Sequence, residues 1–325
     1  MPGPKTHDIF YKELKEKLSV QTLSSFPHYD DYSIFAQGHD FLIYHDFYKI
    51  WNQKRLDSNV HNSTLLQECK FPEFVYNYLQ ISANAGVLQD EQIRLFIGPG
   101  YVAHHMLDAY AHPLIIYYAG DHTRNPDNLT WQHGIVENLI DIYLMESKQS
   151  IDPKSYPSYC DFIFSDELRA PLLETLTNSL NDVYQIENGG KTFKEAIYQT
   201  SAFIKYMKFD PSGFKKNIFD KLDPYLKGTS SFSYHRESTD ALKYLNLEHD
   251  NWVNPMDSSI ISSDSFLDLY DKALIDSSYI INELEEMCRG GNIKKEDIFS
   301  LIPDISSVHG LQGGQPLKIK YKKYK

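Results

Sequence analysis

The run His104-x3-Asp108-x3-His112 constrains this chain more than any other feature. It lies in a stretch, 91–118, whose apolar residues recur at helical intervals, and its neighbours Tyr101, Leu107, Ala111 and Ile115 are apolar or small. Each step of four residues turns about 40° around an α-helix and rises about 6 Å, so the three polar side chains share one face. An uncompensated buried carboxylate costs several kcal/mol, so a helix that buries this face must supply a partner for each group. The three are too far apart to hold one ion together, which places Asp108 to bridge two. His133-x3-Glu137 repeats the one-turn spacing and can hold a cation from one side. A polar network between helices would satisfy the same groups, but the repetition favours metal.

The histidine distribution points the same way. Ten of the 13 histidines fall in residues 1–133, about twice an even share. Imidazole and carboxylate ligands without thiolates suit zinc first, and iron or manganese after it. Cys69, Cys160 and Cys288 are odd in number and widely spaced, with no CxxC, which excludes a cysteine zinc site or a disulfide framework and suggests a reducing compartment. The opening residues carry no apolar leader, so a cytoplasmic location is expected, and no apolar run reaches the roughly 18 residues of a membrane span. The net charge of −12 counts against binding long nucleic acid, although two to three zinc ions would offset up to half of it.

Periodicity predicts helices at 8–18, 71–85, 131–147, 167–185, 192–208, 212–222 and 264–289, with loops at 22–33, 119–130, 148–160, 186–191, 223–237 and 246–262. Gly98-Pro99-Gly100 should interrupt 91–118, with a helix starting after it. No βαβ rhythm, GxGxxG or P-loop occurs. The expected class is all-α, a multi-helix bundle with a metal cleft. It is read as a single domain over 1–325, with metal motifs in 1–145, a helical extension at 150–312 and a basic tail at 313–325. Five lysines in 318–325 offer peripheral contact with an anionic membrane, although a solvated tail is the plainer reading.

Taken together, these motifs resemble the zinc-dependent phospholipase C family, which is related to the S1/P1 nucleases. The resemblance rests on Thr6-His7 just before the first helix, on Gln37-Gly38-His39-Asp40, where the family has proline at position 39, and on His61. It rests above all on Ala103-His104-His105-Met106-Leu107-Asp108-Ala109-Tyr110-Ala111-His112-Pro113 with His133 and Glu137. Beyond residue 145 only Trp252-Val253-Asn254-Pro255 and the helical character look similar.

The resemblance implies a trinuclear zinc cleft. Asp40, His61, His104 and Asp108 would hold one zinc, and His112, His133 and Glu137 a second. A third would bind His7 and share Asp108. It also implies hydrolysis of a phosphoester, either a phospholipid head group or a soluble phosphodiester, with Asp40 able to act as general base. Two other functions fit the residues: a nuclease or nucleotide-directed phosphoesterase on the same zinc site, and a non-catalytic helical binding protein with a structural metal. Outside this set, His105 is expected to meet a backbone carbonyl or solvent. His45-Asp46 and Asp121-His122 are weaker candidates for the cleft. His28, His235, His249 and His309 are read as surface or core residues, and Tyr44, Phe47 and Tyr48 as core.

Overall fold

Apolar spacing and end signals account for most of the helices. The computed structural model describes residues 3–45, 62–119, 130–150, 168–206 and 238–313, together with 152, 212, 214, 217, 218 and 221. Helix α1 (Pro4–Lys15) opens on a proline, whose missing N–H would be unpaired in a first turn anyway, and buries Ile9, Phe10 and Leu14. It starts four residues before the predicted boundary, so His7 lies within the helix rather than ahead of it. The reason is tertiary: the α1 N-terminus has no cap of its own, and a carboxylate from another helix supplies one, as described below. A short α2 (Val20–Ser24) is capped by Ser19, and a 3-10 helix over Tyr29–Gln37 leads into α3 (Phe41–Tyr44). The expected loop at 22–33 is thus largely helical, because Tyr29 and Tyr32 are drawn into the core.

Residues 62–68 are helical, followed by α4 (Phe71–Asn84) with Phe71, Phe74, Val75, Tyr78 and Leu79 on its buried face. Next come α5 (Glu91–Leu95), a π-helical segment over Phe96–Val102 and α6 (Ala103–Ala119). Gly98-Pro99-Gly100 therefore does not interrupt the helix as expected. Proline removes one backbone donor and its ring crowds the carbonyl four residues back. The wider π turn accommodates both, and the Ala103 N–H reaches back five residues to the Gly98 carbonyl. The π segment packs on the 3-10 helix, which brings the Gln37–Asp40 loop against the start of α6.

The remainder comprises α7 (Thr130–Ser147), α8 (Ala170–Tyr184), α9 (Gly189–Tyr206), α10 (Phe266–Gly290) and α11 (Lys295–Leu301). The expected loop at 246–262 contains a two-stranded antiparallel ribbon, β1 (Trp252–Val253) with β2 (Ile261–Ser262), in the register Trp252 to Ser262. Helix α10 lies along α6, α8 packs on α4 and α9, and α1 packs on α7. One apolar cluster runs through these elements from Ile9 to Ile302. The architecture is mainly helical, and no described helix is long and apolar enough to cross a membrane. Residues 120–129 of the predicted loop 119–130, the predicted loop 223–237, most of 148–160, most of helix 212–222 and the tail from 314 lie outside the described residues.

Candidate metal centre

Three elements converge at one buried point. Helix α1 brings His7, the loop after the 3-10 helix brings Asp40, and α6 brings His104 and Asp108. Each offers one ligand atom, and all four atoms lie within 4.8 Å of one another. His7 Nε2 is 3.3 Å from Asp108 Oδ1, and His104 Nε2 is 3.3 Å from Asp108 Oδ2. His104 Nε2 also lies 3.8 Å from Asp40 Oδ1. The His7 and His104 rings stack with centroids 4.1 Å apart. None of the four residues is more than 4% exposed.

Five polar atoms at this point are not satisfied by hydrogen bonds. Both nitrogens of His7, Nε2 of His104 and both carboxylate oxygens of Asp108 are buried without an aligned hydrogen-bond partner. The His104 tautomer is set from behind, where Nδ1–H donates to the Ala36 carbonyl at 2.9 Å and leaves the Nε2 lone pair facing the cluster. Two stacked imidazoles and two carboxylates converging in a dry interior are a donor set that a divalent cation satisfies at once. The group can therefore hold a metal ion.

The electrostatics are those of tightly coupled neighbours. Burial pushes the pKa of Asp40 up to about 7, with His104 opposing. Burial would raise Asp108 as well, but His104 and His7 outweigh it and hold that carboxyl well below the usual range. Burial would lower His104, and the Asp108 and Asp40 carboxylates overcome it and raise its pKa. His7 is lowered, by burial first and by His104 second.

Gly38 makes the loop's approach feasible. Its φ of +50° is a left-handed conformation, and a Cβ there would stand 2.5 Å from the His104 ring. His7 is held by Asp141 of α7. The Asp141 carboxylate accepts from Lys5 N at 3.2 Å, Thr6 N at 2.8 Å and Thr6 Oγ1 at 2.7 Å, which caps α1 from across the interface.

Asp108, which its spacing placed as a bridge, is central, with its two oxygens aimed at His7 and His104. His7, for which the resemblance implies a third ion sharing Asp108, lies in one group with Asp40, His104 and Asp108, carried there on the anchored first turn of α1. His112, His133 and Glu137 form a second line between α6 and α7. His112 Nε2 lies 3.2 Å from His133 Nε2, and His133 Nε2 lies 2.8 Å from Glu137 Oε1. His61, Asp46, His122 and His235 lie outside the described residues, as do Phe47 and Tyr48.

His105 meets a backbone carbonyl, that of Ile305 at 2.8 Å, and stacks on Phe71 at 3.6 Å. Burial pushes its pKa down to about 3. His45 contacts Glu195 at 3.2 Å, away from the cluster. His28 and His249 are exposed, and His309 is buried against Glu68. Asp141 was missed, although His133-x3-Glu137-x3-Asp141 continues the same four-residue spacing and could have disclosed it. Comparison with family models, with curated proteins and with solved structures returned no match.

Proposed function

We propose that this chain is a zinc-dependent phosphoester hydrolase of the phospholipase C type, acting on a phosphodiester. The observation that carries this reading is the convergence of His7, Asp40, His104 and Asp108, with imidazole nitrogens and Asp108 oxygens left without hydrogen bonds. Bound zinc supplies Lewis acidity and lowers the pKa of a coordinated water toward about 7.

The chain's own residues do the rest. His104, locked by Ala36, and His7, carried on the anchored α1, present fixed lone pairs. Asp108 bridges them. Asp40 is both a ligand and the acceptor for the proton that the attacking water loses. His112, His133 and Glu137 would hold a further ion one turn along the same face of α6, where it meets α7, in line with the expected two to three zinc ions. The resemblance would add His61, which lies outside the described residues, to the first set.

A second reading is favoured by one observation, the near-complete burial of all four ligands. In that reading the metal is structural, tying α1, the Gln37–Asp40 loop and α6 together in a protein that binds rather than catalyses.

Two measurements separate the readings. Metal content should reach two to three zinc per chain and fall by at least one ion in Asp108→Ala. Hydrolysis of a phosphodiester panel, including phospholipids and dinucleotides, should be abolished in Asp40→Asn with the fold retained. Uptake well short of one ion per chain after zinc is added back would overturn both readings. Full zinc with no turnover, and unfolding on chelation, would leave the structural one.

A further inference from the structure

We propose that His39 is a positioning residue for Asp40 and that Ser307, from the C-terminal segment, sets the orientation of His39. Residues 305–310 would then form part of the support of the metal centre, a role that rests on the metal-binding reading above. His39 is fully buried. Its Nδ1 lies 3.2 Å from Asp40 Oδ1 and its Nε2 lies 3.4 Å from Ser307 Oγ. As a ligand to a cation Asp40 is ionised and can only accept, so in the metal-bound protein Nδ1 carries the proton and donates to Asp40. Nε2 is then an acceptor for the Ser307 hydroxyl, whose single proton is shared between Nε2 and the Gln67 carbonyl, each 3.4 Å away. Both ring nitrogens are used, and the ring stands edge-on to His104 with centroids 4.5 Å apart. His39 therefore holds a ligand and is not one. The bond it makes to Oδ1 stops the Asp40 carboxylate from rotating away from the cluster.

Ser307 can act on His39 because its own position is over-determined. Its backbone N–H donates to the Gln67 carbonyl at 2.9 Å. Its hydroxyl also lies 3.4 Å from that carbonyl. On one side Ser306 Oγ and His309 Nε2 each lie 3.2 Å from Glu68 Oε2. On the other, Asn254 Nδ2 donates to the His309 carbonyl at 2.9 Å, and His105 donates to the Ile305 carbonyl. Gly310, at φ +67°, lies so close to α6 that a Cβ would stand 2.5 Å from the Ala109 carbonyl, one residue past Asp108. The segment is thus pinned to the helix that carries two of the ligands.

The order Ser307, His39, Asp40 is also that of a nucleophilic triad. Ser307 is wholly buried, its N–H is committed to Gln67 and Asp40 belongs to the cation cluster, so the line orients rather than attacks.

The test is zinc affinity of the full chain, by competition with a chromophoric chelator, with thermal unfolding of the metal-free protein as the fold check. His39→Leu should weaken zinc binding about 10- to 100-fold and Ser307→Ala by less. The double variant should bind no more weakly than His39→Leu alone, because Ser307 acts only through His39. His39→Asn, whose amide N–H stands near the lost Nδ1–H, should recover most of the affinity. Wild-type uptake of zinc with His39→Leu within about twofold, or additive losses in the double variant, would overturn the proposal while leaving the metal centre standing. If His39→Leu fails to fold, Ser307→Ala and His39→Asn decide by the same criteria. A wild type that takes up no zinc would overturn both.

Discussion

Replacing Asp141 by alanine should detach the first turn of α1, and the size of the loss follows from what the carboxylate holds. It accepts from two backbone donors and one hydroxyl, and Thr6, which supplies two of the three, is fully buried. A buried donor that loses its acceptor costs about 1–3 kcal/mol, and bonds to a charged acceptor lie toward the upper end. Fraying of the turn into water recovers part of this, so a net loss of about 3–5 kcal/mol is expected, comparable to breaking a buried ion pair.

That is a large share of the roughly 5–15 kcal/mol that separates folded from unfolded domains. Urea unfolding followed by circular dichroism should show the midpoint falling by about 2 M. Asp141→Asn keeps an acceptor for both Thr6 groups, which share Oδ1, but turns a donor toward Lys5 N. It should lose only about 1–2 kcal/mol. An alanine variant within about 1 kcal/mol of wild type, or an asparagine variant as unstable as alanine, would refute the assignment of Asp141 as the anchor of His7.

Other outcomes follow from the same geometry. His105 has a folded pKa of about 3 against an ordinary 6.5, so its contribution is complete above pH 6.5 and is lost as pH falls below it. The wild type should lose about 1.6 kcal/mol between pH 6.5 and pH 5 that His105→Phe does not lose, measured as unfolding free energy at both pH values. Gly38→Ala combines left-handed strain with a clash on the His104 ring. It should cost at least about 1–2 kcal/mol in unfolding and also weaken zinc binding, and an unchanged affinity would contradict the close approach. Chelation should lower the melting temperature of the wild type and lower that of Asp108→Ala by less, read by differential scanning fluorimetry with and without chelator.

Much of the site was legible one helix at a time. The spacing of His104, Asp108 and His112 put them on one face of one helix, and the structure places Asp108 between His104 and His7 of α1. The amphipathic runs that became α4, α7, α8 and α10 were read to within a few residues. The failures occurred where a local rule met a tertiary demand. Gly98-Pro99-Gly100 reads locally as a break, but packing on the 3-10 helix is served by a continuous helix, and the π turn resolves the conflict. Residues 22–33 read as a loop because their aromatic spacing is short and irregular, yet Tyr29 and Tyr32 are held by distant partners. The Tyr29 and Tyr11 hydroxyls each donate to the other's backbone carbonyl, and Gln92 donates to Tyr32.

What the amino-acid sequence determined alone is which side chains share a helix face, because the rise and turn of an α-helix are properties of the backbone and do not depend on the rest of the molecule. What only the tertiary structure decided is which faces meet. His7 reaches His104 because Asp141 caps α1 from more than a hundred residues away, and the His39 beside Asp40 is met by Ser307 across a separation larger still. Apolar burial is non-directional, so many arrangements of the same helices would satisfy it. The long-range hydrogen bonds and close glycine contacts that select one arrangement have no local spacing by which a sequence could announce them.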